Sequence, residues 1–115
     1  MTAQRFLSAC QTGDIRNGRH LAVEIEGRPI LILNVNRVFH AVSNRCTHLD
    51  YPLEGGRQMG CEIFCRKHGA RFDVRSGKAL GGPAVDRLKV YETRVIDGVV
   101  EVAIPADWCA TKRQA

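Results

Sequence analysis

Residues 44–73 run NRCTHLDYPLEGGRQMGCEIFCRKHGARFD, and the fold has to be one that presents the chemistry-bearing side chains of this stretch. One residue separates Cys46 from His48, sixteen residues follow, and two separate Cys65 from His68, with Gly69 directly after. The segment 44–83 is rich in Gly and charge, and it predicts two loops around one short strand pair, the part of the chain where function is concentrated.

Outward from this segment the chain breaks into short runs of β-branched residues punctuated by Gly, Pro, Asn and Asp, the pattern of a small antiparallel β domain. Strands are predicted at 5–10, 19–26, 30–35 and 38–43. Gly27-Arg28-Pro29 is expected to reverse the chain before 30–35, and Asn36-Arg37 before 38–43. Within 38–43, Val38, His40 and Val42 should face one side and Phe39 and Ala41 the other. Strands at 88–96 and 99–104 flank Asp97-Gly98, a dipeptide suited to the two positive φ angles of a tight hairpin turn. Helix is expected to be scarce, and the tail after Pro105, with Trp108 and Cys109, is a short helical turn or a frayed end.

At 115 residues and 44% apolar composition, a single domain over 1–115 is expected, with a modest core. The first eight residues hold no apolar run of secretory length and no later run approaches a membrane span, so a cytosolic protein is expected. Five cysteines, Cys10, Cys46, Cys61, Cys65 and Cys109, are odd in number and too sparse for a disulfide framework, which favours thiols and metal ligands. The net charge of +5 is spread along the chain and only seven aromatic residues are available for stacking, so an acidic protein partner is the better expectation than nucleic acid.

One Cys and one His per loop suit a [2Fe–2S] centre, in which two thiolates hold one iron and two imidazoles the other. The same donors would also satisfy tetrahedral Zn²⁺, although zinc pairs are usually about two to four residues apart and the stretch Gly69 to Asp73 has no zinc-site rationale. His20 and His40 lie in strand-like runs and are expected to be ordinary strand residues. Cys10, Cys61 and Cys109 are expected to be buried apolar thiols.

With Gly69, Phe72-Asp73, Ser76-Gly77 and Gly81-Gly82-Pro83 added to the two pairs, residues 34–104 resemble the Rieske family. That resemblance implies an all-β fold, a small antiparallel sandwich or barrel bearing an inserted cluster-binding subdomain of two loops at about 44–83. It implies one Rieske-type [2Fe–2S] cluster, with Cys46 and Cys65 on the inner iron and His48 and His68 on an outer iron near the surface. Gly81-Gly82-Pro83 resembles the family's third loop, which packs over the cluster. Rieske proteins of respiratory and photosynthetic complexes add a disulfide between the loops and two hydroxyl side chains near the sulfurs. Here Tyr51 and Lys67 stand at the cysteine positions, and Ala70 and Phe72 at the hydroxyl positions. With fewer hydrogen bonds to sulfur, the potential should lie near the low end of the Rieske range, roughly −150 mV.

The low-potential branch of the family is similar to the ferredoxins of bacterial aromatic ring-hydroxylating dioxygenase systems. The resemblance implies a monomeric one-electron carrier, not an enzyme, that takes electrons from an NAD(P)H-dependent flavin reductase and docks transiently near His48 and His68 on a terminal oxygenase, with no nucleic acid or membrane partner. The alternative is a Rieske-like small subunit of an assimilatory reductase such as nitrite reductase. Arg45, Arg57, Arg66, Lys67, Arg71, Arg75 and Lys78, in or beside the loops, are expected to form a positive collar for docking.

Overall fold

Three hairpin turns organise the scaffold, each made of two consecutive residues with positive φ. The computed structural model describes residues 4–46, 52–66, 69–81 and 86–105. Glu26-Gly27 (φ 51° and 80°) joins β2 (His20–Ile25) to β3 (Arg28–Val35), and Asn36-Arg37 (53° and 70°) joins β3 to β4 (Val38–Ser43). Asp97-Gly98 (51° and 78°) joins β10 (Thr93–Ile96) to β11 (Val99–Pro105). Positive φ at both central positions matches the right-handed twist of the flanking strands. The first reversal therefore lies one residue earlier than Gly27-Arg28-Pro29, because proline is locked near φ −65° and cannot enter such a turn. Pro29 pairs with Glu24 inside the ladder instead. Arg37, a bulky residue with positive φ, is held by its N–H donating to Asn34 Oδ1 at 2.8 Å.

Two antiparallel sheets form the scaffold. One has the order β1-β11-β10, with β1 at Gln4–Gln11, and the other β2-β3-β4-β9, with β9 at Val90–Tyr91. Their facing sides enclose Ile25, Ile30, Ile32, Phe39, Ala41, Tyr91, Val100, Val102 and Ile104. The outer face of the second sheet is also covered. Leu31, Leu33 and Val42 point away from the sandwich into a second core shared with the 44–83 segment. Double coverage explains the unbroken run Ile30-Leu31-Ile32-Leu33, every member of which is fully buried, since alternation is lost where both faces of a strand are packed. The predicted facing of β4 holds: Phe39 and Ala41 join the sandwich core and Val42 the second core, while Val38 lies on the exposed surface.

Residues 44–83 depart from the expected single strand pair. Four short strands, β5 (Gln58–Met59), β6 (Glu62–Phe64), β7 (Arg71–Asp73) and β8 (Ala79–Gly81), form a sequential antiparallel sheet. Runs of two or three residues carry too little period-two pattern to stand out from loop sequence.

The expected strand 88–96 also breaks. Val90-Tyr91 pairs with β4, whereas Thr93–Ile96 pairs with β11 in the other sheet. Glu92 marks the corner, where its carbonyl accepts the Ala103 N–H at 2.9 Å and Thr93 Oγ1 donates to Phe39 O at 2.7 Å. Inside the same corner the buried Arg28 donates to Tyr91 Oη at 3.1 Å. The helical content among the described residues is one 3-10 turn, Thr12–Asp14, and no helix there is long and apolar enough to cross a membrane.

Gly77 ties the small sheet to the segment before β9: its carbonyl accepts the Leu88 N–H at 2.7 Å. A Cβ there would sit 2.0 Å from Leu88 O, on a backbone with φ +81°. Gly77→Ala is expected to cost at least about 2 kcal/mol, from the left-handed backbone and the displaced contact together. Urea unfolding of the variant against the parent measures this, and an unchanged midpoint would refute it.

Candidate metal centre

Cys46 follows β4 after two residues and Cys65 directly follows β6, so each lies where a sheet strand hands over to a loop. The two side chains are fully buried and share one core with Leu31, Leu33, Val42, Leu53, Ile63, Ala70, Phe72, Val74 and Leu88. Residues nineteen apart in sequence are thus gathered by the antiparallel pairing of the small sheet and its packing on β3 and β4.

The second loop is closed at its base. Cys65 N–H donates to Ala70 O at 2.7 Å and Gly69 N–H to Cys65 O at 2.8 Å, with Gly69 at φ +76°. This narrow reversal returns the chain to β7 within a few residues of Cys65, which is why glycine follows the histidine here. The first loop is closed by Asn44, whose Oδ1 accepts the N–H groups of Leu53 (3.0 Å) and Glu54 (2.9 Å). At Gly56 a Cβ would lie 1.9 Å from Phe64 O, so the first loop is pressed onto β6. The loops also meet each other, since a side chain at Gly55 would reach the Arg66 guanidinium at 3.3 Å.

His48 and His68 lie outside the described residues, as do Thr47, Tyr51, Lys67, Gly82, Pro83, Trp108 and Cys109. Among the described residues no three His, Cys, Asp or Glu side chains are grouped to hold a metal. The sequence-predicted set is therefore placed at its two thiols. Cys10 and Cys61, expected to be buried, are half-buried instead, packed at the margins of the two cores. Burial, reinforced by Asp14, raises the Cys10 thiol above its ordinary range.

The surroundings of the thiols suit the proposed group. Two ferric ions, two sulfides, two thiolates and two neutral imidazoles sum formally to zero charge. Such a group can sit against Ala70, Phe72, Leu53 and Ile63 without a buried counter-ion.

Charges around the loops are partly committed. Arg71 lies 3.4 Å from Glu62, donates to Leu80 O at 3.3 Å and stacks over Phe64 at 5.9 Å, in a 300 Å³ cavity it shares with Gly69 and Gly81. Arg75 pairs with Asp73 at 2.9 Å. That bond from Arg75 holds the Asp73 carboxyl below the usual carboxylate range, while His40 is lowered by burial and then by the Arg75 charge, against an opposing effect of Asp73. A carboxylate with a depressed folded pKa stabilises the fold above its ordinary pKa, about 4, and loses that contribution as pH falls through the lower folded value. Asp73→Asn should therefore flatten the loss of stability below about pH 4, by a small amount because Arg75 is largely exposed. Urea titrations at neutral and acid pH measure it, and an unaltered acid slope would refute it.

Residues 5–92 match the family model described as the Rieske [2Fe–2S] domain. This chain belongs to the Rieske family. A Rieske-type [2Fe–2S] cluster is accordingly its cofactor. The chain is 34% identical over 91 residues to the ferredoxin component of the naphthalene 1,2-dioxygenase system of Pseudomonas putida, covering 79% of this chain and 88% of that protein. Its structure superposes on the Sphingomonas yanoikuyae B1 ferredoxin with a TM-score of 0.83 and 31% identity, over 88% of this chain and all of that one. It matches a chain in the complex of reduced oxygenase and oxidised ferredoxin of carbazole 1,9a-dioxygenase with a TM-score of 0.81 and 32% identity, over 85% and 92% of the two chains. A putative NADH-dependent nitrite reductase small subunit of Mycobacterium tuberculosis also superposes, at a TM-score of 0.79 over 89% and 96% of the chains, but at 22% identity this shows the shared Rieske fold alone.

Two residues that shape the first loop, Asn44 and His20, were not distinguishable in the sequence. Their partners lie nine and thirty-five positions away, with no motif linking them.

Proposed function

We propose that this protein is the ferredoxin component of an aromatic ring-hydroxylating dioxygenase system, carrying single electrons from an NAD(P)H-dependent flavin reductase to a terminal oxygenase in the cytoplasm. The observation that carries the reading is the burial of Cys46 and Cys65 together in one apolar core on a Rieske fold. The names of the relatives, ferredoxin components of dioxygenase systems, supply the system.

In this reading Cys46 and Cys65 hold the inner iron and His48 and His68 the outer one, toward the partner. The cluster, when bound, accepts and donates one electron. The protein's own part is to keep water from the thiolates with Leu53, Ile63 and Phe72, and to present a basic surface for docking. Two members of the seven-residue collar expected from sequence are ion-paired. Arg71 and Arg75 are engaged with Glu62 and Asp73, and of the others in that set Arg45, Arg57, Arg66 and Lys78 are exposed.

A permanent reductase subunit calls for a broad apolar interface. Among the described residues the large apolar side chains that are well exposed are Val38, Met59, Val95 and Ile96, spread over β4, β5 and β10, which favours the shuttle.

Electron transfer in a reconstituted chain of reductase, this protein and oxygenase should fall as salt rises, because screening shortens the reach of exposed charge. Arg57→Glu and Lys67→Glu should slow it with the visible spectrum unchanged. Rates indifferent to both salt and charge reversal would reject steering, and failure to reduce any ring-hydroxylating oxygenase would reject the assignment.

A further inference from the structure

We infer that Asn44 and His20 form a two-pronged clamp on the return limb of the first loop, residues 53–55, and that this clamp fixes the geometry of the donors Cys46 and His48. The inference rests on the reading of those two residues as ligands.

Three consecutive backbone N–H groups point at the scaffold rather than at solvent or a strand partner. Those of Leu53 and Glu54 converge on Asn44 Oδ1 at 3.0 and 2.9 Å, and that of Gly55 meets His20 Nε2 at 3.1 Å. Gly56, the next residue, donates to Leu53 O at 2.9 Å, which tightens the limb on itself. Asn44 is buried, and its own N–H is anchored on Pro29 O of the central strand β3 at 3.0 Å. It stands two positions before Cys46 and grips the chain where it returns, so one side chain spans the base of the loop that holds Cys46 and His48.

The second prong comes from an independent strand. Because Nε2 accepts an N–H, it carries no proton. The ring is then the neutral Nδ1–H tautomer, donating to Gln58 Oε1 at 3.0 Å. Gln58 Nε2 in turn donates to Asn34 O of β3 at 3.1 Å, which fixes the amide's orientation and ties β5, β2 and β3 into one network. Apolar packing holds the thiols in place but does not fix the loop's path. Directional bonds to successive amides do, because a shift of one residue would break all three, and a loop so held gives its donors the same positions before and after an electron is added.

The test uses the holoprotein purified anaerobically, read by the g-values of the reduced cluster in electron paramagnetic resonance, by its midpoint potential and by the half-life of its visible absorption in mild urea. Asn44→Leu removes the acceptor at similar size, Asn44→Asp restores it, and His20→Phe removes the second prong while keeping a ring. Asn44→Leu is expected to shift the g-values and potential and to shorten the half-life about tenfold or more, a factor equivalent to about 1.4 kcal/mol. His20→Phe should act in the same direction, and Asn44→Asp should return the g-values to those of the parent. Parental g-values and half-life in Asn44→Leu would overturn the clamp. If that variant does not fold, parental g-values in His20→Phe overturn it, and shifted ones support it. Cys46→Ser, run alongside, separates the two readings: a full cluster signal there rejects the ligand assignment and the clamp with it, whereas its loss beside an unaltered Asn44→Leu rejects the clamp alone.

Discussion

Cys46→Ser is expected to yield a protein that folds around its scaffold but holds little or no iron and acid-labile sulfide. Cys46 is fully buried among apolar side chains, none of which offers a replacement ligand. A serine hydroxyl is a far weaker acid than a thiol, and its harder oxygen is a poorer match for cluster iron. Loss of one thiolate also leaves the cluster with an uncompensated positive charge against Leu53, Ile63 and Phe72, a setting in which an unpaired charge costs several kcal/mol, on the order of the penalty for a buried ion. The sandwich core, built from Ile30, Ile32, Val100, Val102 and their neighbours, contains neither Cys46 nor Cys65, so its strands should persist. Iron and sulfide per chain, with the visible spectrum and far-ultraviolet dichroism, report the two halves separately. Parental iron and sulfide content in Cys46→Ser would remove the ligand assignment.

The second large effect is on the potential. Ala70 and Phe72 line the core that holds both thiols, and neither carries a hydroxyl. An added electron raises negative charge on sulfur, and a donor aimed at sulfur stabilises that state over the oxidised one. Without such donors the midpoint should lie near the low end for Rieske centres, roughly −150 mV. Ala70→Ser together with Phe72→Tyr should raise it by on the order of 100 mV. A preferential stabilisation of about 1.4 kcal/mol corresponds to about 59 mV for one electron, and each charge-assisted bond is worth about that much or more. Ala70→Ser alone should move it by part of this with little strain, whereas the phenol oxygen added by Phe72→Tyr must find room in a filled core. Anaerobic redox titration measures both. A parent midpoint well above zero, or no upward movement in the double variant, would contradict the account.

Much of the scaffold was legible because its cues are local. Asp97-Gly98 and Asn36-Arg37 turn where expected, since Asp97, Gly98 and Asn36 are of the few residue types that tolerate positive φ. The first turn lies at Glu26-Gly27, one residue before the expected Gly27-Arg28-Pro29, because proline's fixed negative φ is compatible with the first residues of a strand. The 88–96 segment carries a continuous strand pattern, and nothing in it marks Glu92 as the corner between two sheets. That depends on Ala103 and Phe39, residues contributed by other strands.

The amino-acid sequence alone determined the types and spacing of the proposed donors, the antiparallel hairpins and the apolar strand at 30–35, since each follows from residue chemistry, allowed backbone angles or strand propensity. Tertiary structure alone decided that both faces of that strand are covered, that Cys46 and Cys65 enter the same core, that Arg71 and Arg75 turn to Glu62 and Asp73, and that Asn44 and His20 grip the first loop. Those outcomes depend on directional contacts and shared burial between groups brought together by sheet packing, and such distances are set by the assembled fold rather than by neighbours along the chain.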